Sequence, residues 1–348
     1  MSRIVFKVLK WLLVSLASLL IILCLIFWDL VAYGYRQAKG QLHIVWNAKP
    51  VEVYLADPAF PDSLKNKLRF VEEVRKYAID SLGLKDSKNY KTLFDQKGEE
   101  IMWVVTASEP FQLKEKQWRF PVLGDVPYKG FFEKERALAE QKKLEQAGFD
   151  VNVRNPGGWS TLGWFTDPIL SNMLLKPEGD LASLIIHEMV HATIFVKDSI
   201  DFNENLASFI GDRGAEKFLI NKYGGQSEQY LAYIQEDKEF LAYVDHILRG
   251  CIYLDSVYTA IAGKSHQQKQ AIKENAIRTI MESADSLSFK VLAHPSKRHA
   301  QALPNNAYFM SFRRYQSRQD DFWTEWREAF NGDLKAYIDY LSKRHPFL

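Results

Sequence analysis

The chain opens on an uninterrupted apolar run. From Trp11 to Trp28 there are 18 residues without a charge, with Arg3, Lys7 and Lys10 before them and Asp29 after. That length suits a helix crossing a bilayer, and the preceding cations predict an N-terminus inside and the bulk of the chain on the far side. Residues Tyr35 to Val53 mix polar and β-branched positions, and Pro50, Pro58 and Pro61 punctuate the chain from there to residue 61, so a linker into the next domain is expected. Beyond it, Leu64, Leu68, Val71, Val74 and Ile79 recur at helical spacing down to Gly83, with Asp62 as a cap. The run Ile101 to Thr106 reads as a buried strand. A helix over about 132–147 stops at Gly148, and Phe149, Val151 and Val153 then alternate as a strand does.

After residue 180 the pattern is helical almost throughout, with breaks near 197–202, 224–226, 263–265 and 294–304. The expected fold is α+β and predominantly helical. An N-terminal tip and transmembrane anchor occupy 1–30, and one domain occupies 31–348. Within that domain a mixed lobe covers about 50–197 and a helical lobe about 202–348.

Composition narrows the class. The 348 residues are 47% hydrophobic and 25% charged, a globular balance. Lys plus Arg total 45 against 43 for Asp plus Glu, and a net charge of +2 offers no basic surface for nucleic acid. The two cysteines, Cys24 in the apolar run and Cys251 far from it, exclude a disulfide framework and leave the compartment open. Cleavage of the leader is not expected, since bulky Phe27, Trp28 and Leu30 stand where a small-residue site would be. Lipidation at Cys24 is likewise disfavoured by Ile21, Ile22 and Leu23 before it. The sequence carries no signal of oligomeric state.

The chemistry concentrates in His187-Glu188-Met189-Val190-His191, within the apolar run Leu181 to Val196 that opens after Asp180, a candidate helix cap. This is H-E-x-x-H, which a chain of this length matches by chance roughly once in a hundred. Residues four apart on a helix sit one above the other, so both imidazoles can bind one Zn2+, and Glu188, about 100° round the axis, can act as a base toward water. The bland alternative is a core helix with two satisfied histidines. It would bury two imidazoles and a carboxylate among Leu184, Ile185, Ile186 and Ile194, at a cost of several kcal/mol unless they are paired or bound to metal. Glu204, opening the helix after the 197–202 break, is the candidate third ligand, the alternative being an exposed Glu that favours a helix N-terminus through the macrodipole. A third histidine at metzincin spacing is excluded by Ile194 and Lys197.

The sequence H-E-M-V-H followed by F-N-E-N-L-A resembles the gluzincin pattern, in which a downstream Glu completes the zinc site. Further segments match a bacterial family labelled putative aminopeptidases. They are Q-A-K-G-Q-L at 37–42, Y-K-G-F-F at 128–132, S-T-L-G-W-F-T-D-P at 160–168 and L-P-N-N-A-Y-F-M-S-F-R-R-Y at 303–315. The resemblance implies a zincin-like, two-lobed catalytic domain with the zinc helix between its lobes. It also implies peptide substrates and hydrolysis at free N-termini, in an enzyme held in the inner membrane and facing the periplasm.

Zincin enzymes use a donor for the oxyanion, and Tyr308 and His299 are the expected candidates, Tyr308 first. Arg313 and Arg314 read as structural ion-pair partners before substrate ligands. The segment Ser160 to Phe165 is a candidate sheet edge for an extended peptide, or else aromatic packing under the zinc helix. Glu178, Asp180, Asp201 and Asp167 are the carboxylates available for a substrate ammonium group. An endopeptidase with an open groove and a non-catalytic zinc scaffold are the competing readings. A structural zinc would usually be closed by four protein ligands, and three ligands beside a retained Glu188 favour hydrolysis.

Overall fold

The computed structural model describes residues 3–120, 124–156, 166–197, 199–291 and 302–346. It divides into two compact units, Met1–Asn47 and Ala48–Leu348. In the first, α1 (Arg3–Ile26) and α2 (Trp28–Asn47) share one hydrogen-bond ladder. It passes through Phe27, whose N–H reaches the Leu23 carbonyl at 2.9 Å and whose carbonyl accepts from Val31 at 3.0 Å. The linker expected from Tyr35 is therefore helical as far as Asn47. Gly34 and Gly40 weaken a helix without ending it, and the first proline, Pro50, comes only afterwards. Val5–Ile26 is long and apolar enough to cross a membrane, its 22 residues spanning about 33 Å against a hydrocarbon core of about 30 Å. Leu12, Leu16, Ile21 and Leu25 are exposed along it.

The second unit begins with β1 (Lys49–Pro50), α3 (Val51–Ala56), α4 (Asp62–Asp80), β2 (Thr92–Phe94), β3 (Trp103–Ser108), β4 (Trp118–Phe120), β5 (Gly124–Val126), β6 (Lys129–Phe131), α5 (Lys134–Gln146), β7 (Asp150–Arg154) and β8 (Ile169–Leu170). It continues in α6 (Glu178–His191), α7 (Ile200–Tyr223), α8 (Glu228–Ala260), α9 (His266–Ser283), α10 (Asn306–Gln316), α11 (Gln319–Phe330) and α12 (Leu334–Arg344). Among the described residues every strand precedes Ser171 and everything regular after Pro177 is helical, a mostly helical α+β arrangement.

Two sheets have three strands each, ordered β1-β2-β8 and β6-β3-β7, and β4 pairs β5 as a hairpin. Strand β3 lies at the centre of its sheet, with Val105 opposite Lys129 of β6 and Val153 of β7, both antiparallel. Val104 through Ser108 are all buried, so the strand foreseen at Ile101 to Thr106 runs two residues further along the chain. In α4, Pro61 takes the cap position and Asp62 falls in the first turn, where its carboxylate still faces the positive end of the helix dipole. Likewise α6 begins with Pro177 at the cap, so Asp180 lies inside its first turn.

Helices α6 and α7 form the most extensive pairing of described elements. Leu181, Ile185, Ile186, Met189 and Val190 of α6, with Leu206 and Ile210 of α7, are each at most 1% exposed. Full burial of such side chains contributes about 1.5–3 kcal/mol apiece. The turn between the helices is tied back to α7: the Val196 N–H donates to Asn203 Oδ1 at 2.9 Å, and Asn203 Nδ2 donates to the Val196 carbonyl at 2.8 Å.

Candidate metal centre

Four-residue spacing on α6 stacks His187 and His191 on one face, and the reversal after His191 brings Glu204, in the second turn of α7, against them. The two Nε2 atoms are 3.2 Å apart. Glu204 Oε2 lies 3.5 Å from His187 Nε2 and 3.8 Å from His191 Nε2. All three donor groups fall within 4.8 Å of one another. A tetrahedral zinc site with bonds of about 2.0–2.1 Å places its ligand atoms about 3.3–3.4 Å apart, so both the donor types and their spacing fit a zinc ion.

The electrostatics are those of a closely coupled group. Burial disfavours the charged form of His191, yet the Glu204 carboxylate outweighs it and the imidazole is shifted upward. Burial also acts to raise Glu204, but the two imidazoles hold its carboxyl well below the usual carboxylate range. His191 Nδ1 is buried without a hydrogen-bond partner among the described residues. Behind His187, Ser183 Oγ donates to Asp212 Oδ1 at 2.6 Å. The Asp212 carboxyl is pushed up to about 6, mainly by burial and then by Asp237, while Ser183, Arg213 and His187 pull it down.

Glu188, 8% exposed, occupies the adjoining face of α6. Its charge and that of Asp167 add to burial in raising the Tyr90 phenol far above its ordinary value. Tyr90 adopts a left-handed backbone at φ 61°, and its N–H is held by the Asp167 carbonyl at 2.7 Å. Asn89 Oδ1 accepts from the Asp167 N–H at 3.0 Å, so both strands of this loop are fixed beside the carboxylates.

Two further phenols meet the site. Tyr128 is raised by burial and then by Glu204, with Tyr315 and Glu188 adding to the shift. Tyr315 is raised by burial and then by Glu204, and Arg154 and Arg314 oppose the shift. Backbone geometry keeps Tyr315 there: Asn205, next to Glu204 and fully buried, donates from Nδ2 to the Arg314 carbonyl and accepts from the Arg318 N–H at 2.9 Å.

The structure thus brings together His187, Glu188, His191 and Glu204. Tyr308 lies elsewhere on α10, its hydroxyl 2.7 Å from that of Tyr243 and its ring packed on Phe309 and Phe312. His299 and the Ser160 to Phe165 segment lie outside the described residues. Arg313 and Arg314 are both paired, with Asp255 and Glu115. Of the carboxylates considered for an ammonium group, Glu178 accepts from the Tyr223 hydroxyl at 2.8 Å. The Asp180 carboxyl is raised by burial, with Lys176 and Lys67 opposing and Asp237 adding to the shift. Asp167 is fully buried beside Tyr90. The Asp201 carboxyl is raised by burial, with Arg314 opposing and Glu204 adding to the shift.

Sequence reasoning passed over Tyr90, Tyr128, Asp212 and Tyr315 as site residues. Tyr128 opens Y-K-G-F-F and Tyr315 closes F-R-R-Y, so two of the segments that carried the family resemblance held the signal.

Two histidines, a helix-borne carboxylate and a neighbouring glutamate define the class, a candidate single-metal centre of the H-E-x-x-H type. The profile of the family described as "Putative aminopeptidase" matches residues 32–345, and the chain belongs to that family. No curated protein and no solved structure matches it.

Proposed function

We propose that this protein is a zinc-dependent peptidase acting as an aminopeptidase, anchored in a bacterial inner membrane by α1 with its second unit in the periplasm. The observation that carries the reading is the convergence of His187, His191 and Glu204 beside Glu188. A zinc ion held by those three residues would supply Lewis-acid polarisation of the peptide carbonyl and lower the pKa of water. Glu188 accepts a proton from the attacking water on its carboxylate and returns it to the leaving amine nitrogen. Tyr128 and Tyr315, whose phenols feel the Glu204 charge, join Tyr308 as candidates to donate to the carbonyl oxygen as it gains charge. Asp201, three residues before Glu204 on α7, is the carboxylate we assign to the substrate's ammonium group. The cations Arg3, Lys7 and Lys10 at the start of α1 and its span-length apolar run support the membrane assignment.

Metal analysis of the purified protein with Glu204→Ala and Glu188→Gln tests the reading. The expected result is one zinc per chain in the parent, loss of zinc in Glu204→Ala, and retained zinc without hydrolysis in Glu188→Gln. Retention of parental zinc affinity by Glu204→Ala would reject the ligand set. Matched peptides with free and acetylated N-termini separate the two peptidase modes, and equal internal cleavage of both would replace the aminopeptidase with an endopeptidase.

A further inference from the structure

Strand β7 is an outer strand of its sheet, paired to β3 along one edge. It ends in Arg154, half-buried beside an open groove of about 350 Å³ that Trp103, Val153 and Asn155 also line. The Arg154 guanidinium donates from Nη2 to the Tyr315 hydroxyl oxygen at 3.3 Å and lies 5.8 Å from the centre of that ring. Tyr315 is in turn fixed next to Glu204 through Asn205.

What sets this arginine apart is its charge balance. Arg313 and Arg314, on the same helix as Tyr315, are each matched by a carboxylate, as is Arg213 by Asp237 and Glu216. Among the described residues no carboxylate pairs with Arg154. A guanidinium carries five N–H donors in a planar fork suited to a carboxylate, and a single bond to a phenol oxygen leaves most of that capacity open. Because Arg154 bonds the oxygen of Tyr315, the phenol keeps its own proton to donate elsewhere.

We propose that Arg154 binds the α-carboxylate of the substrate, so that the enzyme acts on short peptides with a free C-terminus. The proposal rests on the peptidase reading and names its substrate class. Arg154 bonds Tyr315, and Asn205, the residue after Glu204, clasps the backbone on either side of that tyrosine, so a free C-terminus reaches Arg154 from the candidate centre only when the peptide is short. Dipeptides and tripeptides meet that condition.

The test uses the full-length, zinc-loaded protein with leucyl-glycine and leucyl-glycinamide, which differ only in the C-terminal charge. A hydrogen-bonded charge contact of about 1.5–3 kcal/mol predicts a preference for the free acid of about ten- to hundredfold in kcat/KM, carried by KM. In Arg154→Gln that ratio should fall to near one, and Arg154→Lys should recover part of it. Equal cleavage of acid and amide by the parent, or an undiminished preference in Arg154→Gln, overturns the proposal while leaving the peptidase intact. Calorimetric titration of leucyl-glycine into Glu188→Gln, with and without Arg154→Gln, decides the point without turnover. Tighter binding of the acid that disappears with Arg154 supports it, and no binding of the acid at about 10 mM overturns it. If neither peptide is cleaved by the parent, the peptidase reading itself fails, whereas the titration still decides the role of Arg154.

Discussion

A Cβ built on Gly211 would stand 3.2 Å from the Cβ of His187 and 2.9 Å from the Ser183 carbonyl oxygen. The second of these neighbours is backbone and cannot swing aside, so Gly211→Ala should push α7 off α6 and draw Glu204 away from both imidazoles. The expected outcome is a stability loss of about 1–3 kcal/mol together with weakened zinc binding, read by denaturant titration and chelator competition. At Gly214 the nearest neighbours of the added atom would be side-chain methyls of Ile186 and Leu82 at 3.0–3.1 Å rather than backbone, so Gly214→Ala should leave zinc affinity much closer to that of the parent.

The Glu115 carboxyl is pushed up to about 7 by burial, with Arg314 lowering it and Asp201 raising it. Its ordinary value is 4.5, so the folded chain holds this proton more tightly than the unfolded one. The stability it contributes is complete below about pH 4.5 and is lost as the pH rises through about 7. Glu115→Gln removes that dependence. Chemical denaturation at about pH 5 and about pH 8 should show the variant gaining on the parent at the higher pH by on the order of 2–3 kcal/mol, and an unchanged difference would refute the assignment.

If Tyr315 donates to the developing oxyanion, Tyr315→Phe should lower kcat by about a hundredfold while sparing KM and zinc content. Tyr308→Phe removes a hydroxyl bonded to Tyr243 and should act mainly on stability, by about 1 kcal/mol. The reverse ranking in steady-state kinetics would restore Tyr308 to the site.

The full-length chain should sediment with membranes and resist alkaline carbonate, because α1 exposes a span-length apolar surface. Removal of residues 1–47 should release the remainder to the soluble fraction, and a reporter fused after Leu348 should register on the periplasmic side. A mature N-terminus near residue 30 would contradict the anchor.

The convergence of the three candidate metal ligands could be read from the sequence because its geometry is local. His187 and His191 are one helical turn apart, and Glu204 follows after a single chain reversal. Helix ends proved less legible by a few residues, since Pro61 and Pro177 take the cap positions that Asp62 and Asp180 resembled. The stretch after Tyr35 looked like a linker because its polar composition hid an unbroken backbone ladder. Tyr128 and Tyr315 could not be assigned for a different reason: they approach Glu204 from elements far apart in the chain, and helical or strand periodicity carries no record of such meetings.

The Asn205 amide that grips the Arg314 carbonyl also sets an order of events during synthesis. Both helices that furnish His187, His191 and Glu204 have been synthesised once the ribosome has passed Tyr223. The partners that Asn205 clasps belong to α10 and the turn after it, among the last segments to emerge. A chain stopped before α10 would therefore carry the three candidate ligands yet lack Tyr315 and the backbone that Asn205 clasps.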